Sequence, residues 1–283
     1  MRRIALYSDI HGNSHALDAV LADIAASRIA ERYCLGDLVG YGAHPGEVIA
    51  RVRETGDPVI RGNYDDGVGF RKGDCGCYYV TPEAKEDGTA SYAFTDAALD
   101  DAEHGYLAGL ADDIRLDVDG ARVLLCHGSP RRINEYLMLD RPDDNLAKLA
   151  DIGGADVVCV GHVHIPYHRV LTADDGRAVH YVSDGSAGRP KDGDPRACWA
   201  ELIFGTKAEV NTACEGDRGA GPVGRFHSTH ANVVEVGADE DGSTERVWLG
   251  VRFHRVDYDV EAAAGDVLDA GLPSRLAETL RTG

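Results

Sequence analysis

Cationic side chains are scarce in this sequence of 283 residues: 29 Lys and Arg stand against 48 Asp and Glu, a formal net charge of −19. Broad gripping of nucleic-acid backbones depends on clustered Lys and Arg, so nucleic acid is disfavoured as a partner. Most of the acidic surplus reads as solvated surface, and part of it as carboxylates available to a local cation site. Long apolar runs are missing too; none approaches the roughly 20 residues that span a bilayer. The amino terminus shows no extended apolar stretch with a small-residue cleavage site behind it, so a cytoplasmic protein with no membrane partner is expected. No internal repeat is present. The seven cysteines are an odd number and, without a secretory leader, read as free thiols of a reducing compartment. Cys34, Cys126 and Cys159 lie in apolar runs and read as small buried hydrophobes. In Cys75-Gly76-Cys77 the pair is one residue apart, against two or more for zinc ligands; a structural or incidental role is expected, with metal or redox use as the alternative.

What the sequence does have is an ordinary apolar content, 43%, enough for a sizeable core. The chain opens as strand, loop and helix, with Leu17, Val20, Leu21 and Ile24 at helical spacing and Asn13 or Ser14 available as cap. A second strand precedes Gly36-Asp37, and Pro45 suits the first turn of a helix carrying Val48, Ile49 and Val52. A third strand, Pro58–Ile60, is expected before Arg61-Gly62-Asn63. This alternation predicts a largely parallel sheet with covering helices. Residues 65–88 read as a long loop, followed by Ala-rich helix to about Leu110. Strands return at Ile114–Val118 and Val123–Cys126 around the hairpin signal Asp119-Gly120. A helix over Asp144–Ile152, a strand before Gly161, and antiparallel strands at His168–Leu171, Ala178–Val182 and Cys198–Phe204 follow. The Gly-rich, polar stretch at about 205–246 reads as an insertion or irregular hairpin within a single domain spanning 1–283. Val247–Tyr258 restores a strand, and two short helices meet at Gly271 and Pro273.

Five polar fragments each follow a short, β-prone apolar run: Asp9-Ile10-His11, Gly36-Asp37, Gly62-Asn63, His127-Gly128 and Gly161-His162-Val163-His164. Carboxylate oxygens can bridge two cations, imidazole nitrogens suit first-row transition metals, and an amide oxygen completes a shell without adding charge. Taken singly, Asp9 could cap a helix, Asp37 could sit in a turn, Asn63 could adopt a left-handed turn, and His127 could be a satisfied imidazole. Together these readings require five coincidences.

In this order, the five fragments resemble the signature blocks of the calcineurin-like metallophosphoesterases. The flanking Leu35-Gly36-Asp37-Leu38-Val39-Gly40-Tyr41-Gly42 and Asp184-Gly185-Ser186-Ala187-Gly188-Arg189-Pro190 are similar to the smaller bacterial and archaeal branch of YfcE- or MJ0936-like phosphoesterases. The resemblance covers about residues 1–204, with a looser tail from Val247. It implies an α/β (α+β) fold, a four-layer αββα sandwich of two mixed β-sheets flanked by helices, with the site on loops at strand ends. It also implies two divalent ions, Mn²⁺ foremost, with Fe, Zn, Co and Ni as alternatives. Asp9, His11, Asp37 and His164 would hold one ion; Asp37 would bridge to a second held by Asn63, His127 and His162. The implied reaction is hydrolysis of a phosphodiester or nucleotide-type phosphate by attack of a metal-bridging hydroxide, with Asp37, Asn63 and His127 as catalytic residues and a small phosphoester as substrate. The alternatives are a phosphomonoesterase or protein phosphatase of the same fold, or a non-catalytic metal-binding scaffold. Homo-oligomerisation is left open.

The departure from the family is Tyr64, where the block usually carries a histidine that protonates the leaving alkoxide. A phenol with an ordinary pKa of about 10 is a poor neutral-pH acid. It leaves three roles open: a weak acid, a hydroxyl that positions substrate, or neither, with a metal-bound water as donor. Substrate positioning is the reading taken. His44 and Arg61 are candidate substrate contacts. His15, Arg131, Arg132 and Arg189 are weaker ones, and Ser186 reads as loop geometry because its surroundings lack the Gly-x-Ser-x-Gly spacing.

Overall fold

A computed structural model describes residues 1–215, 234–236 and 247–283. One five-stranded sheet comprises β1 (Arg2–Tyr7), β2 (Glu31–Cys34), β8 (Ala197–Gly205), β9 (Val234–Val236) and β10 (Val247–Val256), in the order β2-β1-β8-β10-β9. The other comprises β3 (Asp113–Val118), β4 (Ala121–Cys126), β5 (Val157–Val160), β6 (Tyr167–Thr172) and β7 (Ala178–Ser183), in the order β3-β4-β5-β7-β6. Both are mixed. The pairs β1–β2, β4–β5 and β5–β7 are parallel, and the others are antiparallel. The expectation of a largely parallel sheet is therefore corrected. Strand β8, far along the chain, comes back to lie antiparallel between β1 and β10, which local alternation cannot anticipate.

Side-chain alternation along the central strands builds four layers. On β1, Ile4 and Leu6 enter the core between the sheets, while Ala5 and Tyr7 face helices α1 (Ser14–Ala26) and α2 (Pro45–Thr55). On β5, Val157 and Cys159 join the same inter-sheet core, while Val158 and Val160 face α6 (Asp143–Gly153) on the far side. Over Ile4–Tyr7 and Val157–Val160 every position is apolar because both faces are buried. Helix α1 places Leu17, Val20 and Ile24 at zero exposure, each stabilising by about 1.5–3 kcal/mol. Asn13 Oδ1 accepts from the Ala16 backbone N–H at 3.1 Å and starts that helix. Asp119 and Gly120 both take positive φ, the turn that a two-residue hairpin demands.

Three further expectations are corrected. Val59 and Ile60 make only isolated bridges, to Cys34 and Ala111, so the third strand is not formed; Pro58 and Gly62 bracket too short a run. The long loop over 65–88 is interrupted by α3 (Asn63–Gly69) and by α4 (Pro82–Ala98), whose Thr81 cap and Pro82 start it early. Cys75 and Cys77 are joined as a disulfide, against the reading of all cysteines as free thiols. Their spacing, too close for a zinc pair, brings the two Cα atoms to 5.4 Å, within bonding reach. Cys34, Cys126, Cys159 and Cys198 are buried free thiols. Helix α5 (Asp101–Ala108) completes the segment before β3. Of the stretch at about 205–246, α7 (Lys207–Cys214) and β9 are described; the remainder of that expected insertion lies outside the described residues. Helices α8 (Val260–Asp269) and α9 (Ser274–Thr282) form the C-terminal hairpin, packed through Leu272, Leu276 and Leu280 against Tyr41 and Phe94. Among the described residues no helix is long and apolar enough to cross a membrane.

Candidate metal centre

The loops after β1, β2, β4 and β5, and the turn entering α3, converge on one buried point. Asp9, His11 and His164 form one cluster and Asp37, His127 and His162 another; none of the six is more than 3% exposed. His164 Nε2 lies 3.2 Å from Asp9 Oδ1, and His11 Nε2 lies 3.2 Å from His164 Nε2. In the second cluster His127 Nε2 is 3.4 Å from Asp37 Oδ2 and 3.1 Å from Asn63 Oδ1. Asp37 Oδ2 stands between the clusters, because His11 Nε2 is 3.7 Å from that same oxygen.

The backbone bends to achieve this. Asp9, His11, Asp37, His162 and His164 all have φ between 51° and 66°, a left-handed region that side chains other than glycine occupy at a cost of about 1–3 kcal/mol each. The histidines are also oriented from behind. Nδ1 of His11 donates to Val39 O (3.0 Å), that of His127 to Leu35 O (2.7 Å) and that of His164 to Arg189 O (2.5 Å). A neutral imidazole that donates through Nδ1 carries a lone pair on Nε2. The Nε2 lone pairs of His11 and His164 thus face each other and Asp9 Oδ1, an arrangement that repels unless a cation lies between. Asp9 Oδ1 and His162 Nε2 are buried with no hydrogen-bond partner, which a native interior tolerates rarely. The residues present therefore fit a divalent metal, and the donor set of imidazole, carboxylate and amide oxygen suits first-row ions.

Charges follow the same logic. Burial chiefly, with His164 adding to it, pushes His11 and His162 down to about 3 despite nearby Asp37. Burial also opposes charge on His127, but Asp37 outweighs it and the pKa rises to about 10. Burial works against ionised Asp9 and Asp37, yet the histidines around them hold both below the usual carboxylate range.

A layer behind the clusters was not read from the sequence. Asp65 accepts from the backbone N–H groups of Asp37 (2.8 Å), Leu38 (2.9 Å) and Gly62 (2.9 Å), tying the second and third fragments together. Ser8 Oγ lies 2.5 Å from Asp9 Oδ2 and 2.8 Å from Asp184 Oδ1. One hydroxyl proton cannot serve both. Burial and the Asp9 charge raise the Asp184 pKa well above its ordinary value, so a protonated Asp184 donates to Ser8 and Ser8 donates to Asp9. With His162 N–H also on Asp9 Oδ2 at 2.9 Å, Oδ1 is the oxygen left facing the cluster. The acid-Gly run containing Asp184 was visible in the sequence, but its partner Ser8 is 176 residues away. Asn63 is oriented by the Cys75–Cys77 turn, donating from Nδ2 to Cys75 O at 3.0 Å and approaching Cys77 Sγ at 3.2 Å.

Three sequence candidates stand elsewhere than expected. Tyr64 is fully buried, and its hydroxyl lies 3.3 Å from Ser91 Oγ and 3.5 Å from Gly88 O in α4. Burial raises its pKa further, so the hydroxyl is placed neither to protonate a leaving group nor to touch substrate; only its ring edge meets His11. Arg61 donates to Ala108 O and Leu110 O, both at 2.9 Å, and pairs with Asp112. Its guanidinium nitrogens Nη1 and Nη2 are thus engaged at the end of α5. His44 lies outside the two clusters, with Nδ1 2.9 Å from Ser14 Oγ. Arg131 pairs with Glu135. Arg189 lies over the Tyr41 ring at 4.0 Å, and its charge and that of Lys191 act on His164. Ser186 donates to Asp9 O and accepts from Arg189 N, both at 2.8 Å, a loop-shaping role. Beside His11, a recess of about 10 Å³ is walled by Tyr41, Arg189 and, from α9, Leu276 and Leu280.

A family model described as the calcineurin-like phosphoesterase superfamily domain matches residues 2–203. The uncharacterized protein MJ0912 of Methanocaldococcus jannaschii is 32% identical over 220 residues, 72% of this chain and 83% of that protein. A metallophosphoesterase structure from Sphaerobacter thermophilus superposes over 99% of both chains with a TM-score of 0.62 at 26% identity. The hypothetical protein PH1004 from Pyrococcus horikoshii shares the fold, with a TM-score of 0.70 at 20% identity over 99% of this chain and 98% of that one.

Proposed function

The chain belongs to the calcineurin-like phosphoesterase superfamily, and on that premise we propose that it is a dinuclear-metal phosphoesterase acting on phosphodiester or nucleotide-type phosphates. The observation that carries the reading is the convergence of the back-anchored His11 and His164 Nε2 lone pairs on Asp9, with Asp9 Oδ1 and His162 Nε2 buried and unpartnered. Asp9, His11, Asp37 and His164 would hold one ion, and Asp37, Asn63, His127 and His162 the other. Two such ions supply Lewis acidity to phosphoryl oxygens and acidify bound water. Asp37 spans the clusters and fixes their separation. Asn63 and His127, locked to Cys75 O and Leu35 O, hold the second position in one orientation. Arg189 adds positive charge at the edge beside His164, where a guanidinium suits a phosphoryl oxygen. With the Tyr64 hydroxyl turned to α4, the reading favours substrates whose leaving oxygen needs little protonation.

The test is metal analysis of the purified protein coupled to a panel of bis-nitrophenyl phosphate, nitrophenyl phosphate, cyclic nucleotides and phosphopeptides, with Mn²⁺ tried first. Two metal equivalents and turnover of the diester or nucleotide substrates are expected, and both should be lost in Asp37→Asn. Preference for the monoester or phosphopeptides would move the assignment to a phosphatase. A metal-replete protein inert on the whole panel would overturn catalysis in favour of a scaffold.

A further inference from the structure

Among the described residues one more set of metal-binding side chains comes together outside the buried centre. His15 lies in the first turn of α1, His44 precedes α2, and Asp266 is on α8; their ligand atoms all lie within 4.8 Å of one another. His15 Nε2 is 2.7 Å and His44 Nε2 3.6 Å from the same oxygen, Asp266 Oδ2. Tetrahedral donors about 2.1 Å from zinc stand roughly 3.4 Å apart, so small side-chain rotations complete the set. His44 is already oriented: its Nδ1 lies 2.9 Å from Ser14 Oγ, which turns Nε2 towards Asp266, and in the tautomer that donates from Nδ1 the Nε2 lone pair is free to ligate. An anchored far nitrogen is what a ligating histidine requires. The side chains are 34%, 31% and 36% exposed, which leaves an entry path and room for water in the remaining coordination position. The set shares no member with either buried cluster, and Asp266 lies beyond residues 2–203, those the family model matches.

The geometry points to an accessory zinc-type site of two imidazoles and one carboxylate that clips the C-terminal hairpin to the body. Imidazole paired with a single carboxylate favours Zn²⁺ or Ni²⁺ over Mg²⁺ or Ca²⁺. The clip has a consequence for the neighbouring centre, because α9 of that hairpin walls the recess beside His11. The competing account is a plain His15–Asp266 ion pair, which takes up no metal.

Zinc bound by the full chain after equilibrium dialysis separates the two. Asp266→Asn and His15→Ala are each expected to bind one equivalent less than the unsubstituted protein. The double variant Asp37→Asn/Asp266→Asn should bind one less than Asp37→Asn, which keeps this result independent of the dinuclear reading. In the unsubstituted protein, zinc should slow diethyl pyrocarbonate modification of His15 and His44 at least about tenfold by peptide mass spectrometry, as coordination removes the reactive lone pair. Equal zinc stoichiometry with and without Asp266, or equal modification rates with and without zinc, overturns the site.

Discussion

Gly62 stands where the metal-centre argument can be tested by one methyl group. A Cβ added there would lie 2.1 Å from Asp37 Oδ1 and 2.3 Å from Asp37 N, whereas real Cβ contacts respect about 3.0 Å. The backbone at Gly62, φ −86° and ψ 173°, is extended and open to alanine. Gly62→Ala therefore meets no forbidden backbone angle, and beyond a small cost at the α3 N-cap its effect is contact. The shortfall asks for a displacement of about 1 Å, taken up by the Asp37 loop or by the turn into α3. Overpacking of this kind costs about 1–3 kcal/mol of stability, which leaves the protein folded. A 1 Å misplacement in a catalytic constellation costs on the order of 100-fold in rate. Since Asp37 Oδ2 faces both clusters, the expected result is weakened binding of both ions and about a 100-fold fall in kcat/KM. Gly105→Ala, at a position with nothing within 4 Å, is the matched control. A Gly62→Ala protein with full metal content and kcat/KM within about threefold of the parent would refute the role given to Asp37.

The relay behind Asp9 makes a graded prediction: Asp184→Leu should weaken metal binding by about 10–100-fold in calorimetry. Asp184→Asn, whose amide can still donate to Ser8, should stay within about threefold; equal losses in both would dispose of the relay. Tyr64→Phe should keep kcat/KM within about threefold at every pH and cost about 0.5–1.5 kcal/mol in denaturant melts; a large rate loss with an altered pH profile would return the hydroxyl to the chemistry. Burial, with His180 beside it, holds His168 at about 3 in the fold, while the unfolded chain takes up that proton below about 6.5. The group therefore costs stability as pH falls from 6.5 towards 3, by up to about 1.4 kcal/mol per pH unit. His168→Gln should lose less on acidification than the parent over that window, and a pH-independent difference between them would contradict this.

The ends of the buried strands were the legible part of the sequence. Val157–Val160 and Ile4–Tyr7 are apolar throughout because each faces two cores, and the polar residues that interrupt them are the ones brought together. Sheet order was hidden because β1 pairs with β8 across about 200 residues. Side-chain direction was hidden as well. Arg61 sits next to the third fragment, yet its guanidinium finds carbonyls at the end of α5. Tyr64 occupies the block's usual acid position, but Gly40 leaves room for its ring, since a Cβ there would meet Tyr64 Cδ1 at 2.4 Å. The ring fills that space and the hydroxyl continues past the site into α4. Ser8 and Asp65 carry no signal as letters and acquire roles only through tertiary proximity.

The left-handed backbone at Asp9, His11, Asp37, His162 and His164 also bears on how such a protein can change over generations. At about 1–3 kcal/mol each, the five together rival the roughly 5–15 kcal/mol by which a whole domain is stable. Glycine would relieve any one of them. A descendant released from the need for metal therefore gains stability by its first substitutions at these positions, so loss of the centre runs downhill while its recovery runs uphill. Persistence of all five in this chain is what continued use of the centre would leave behind.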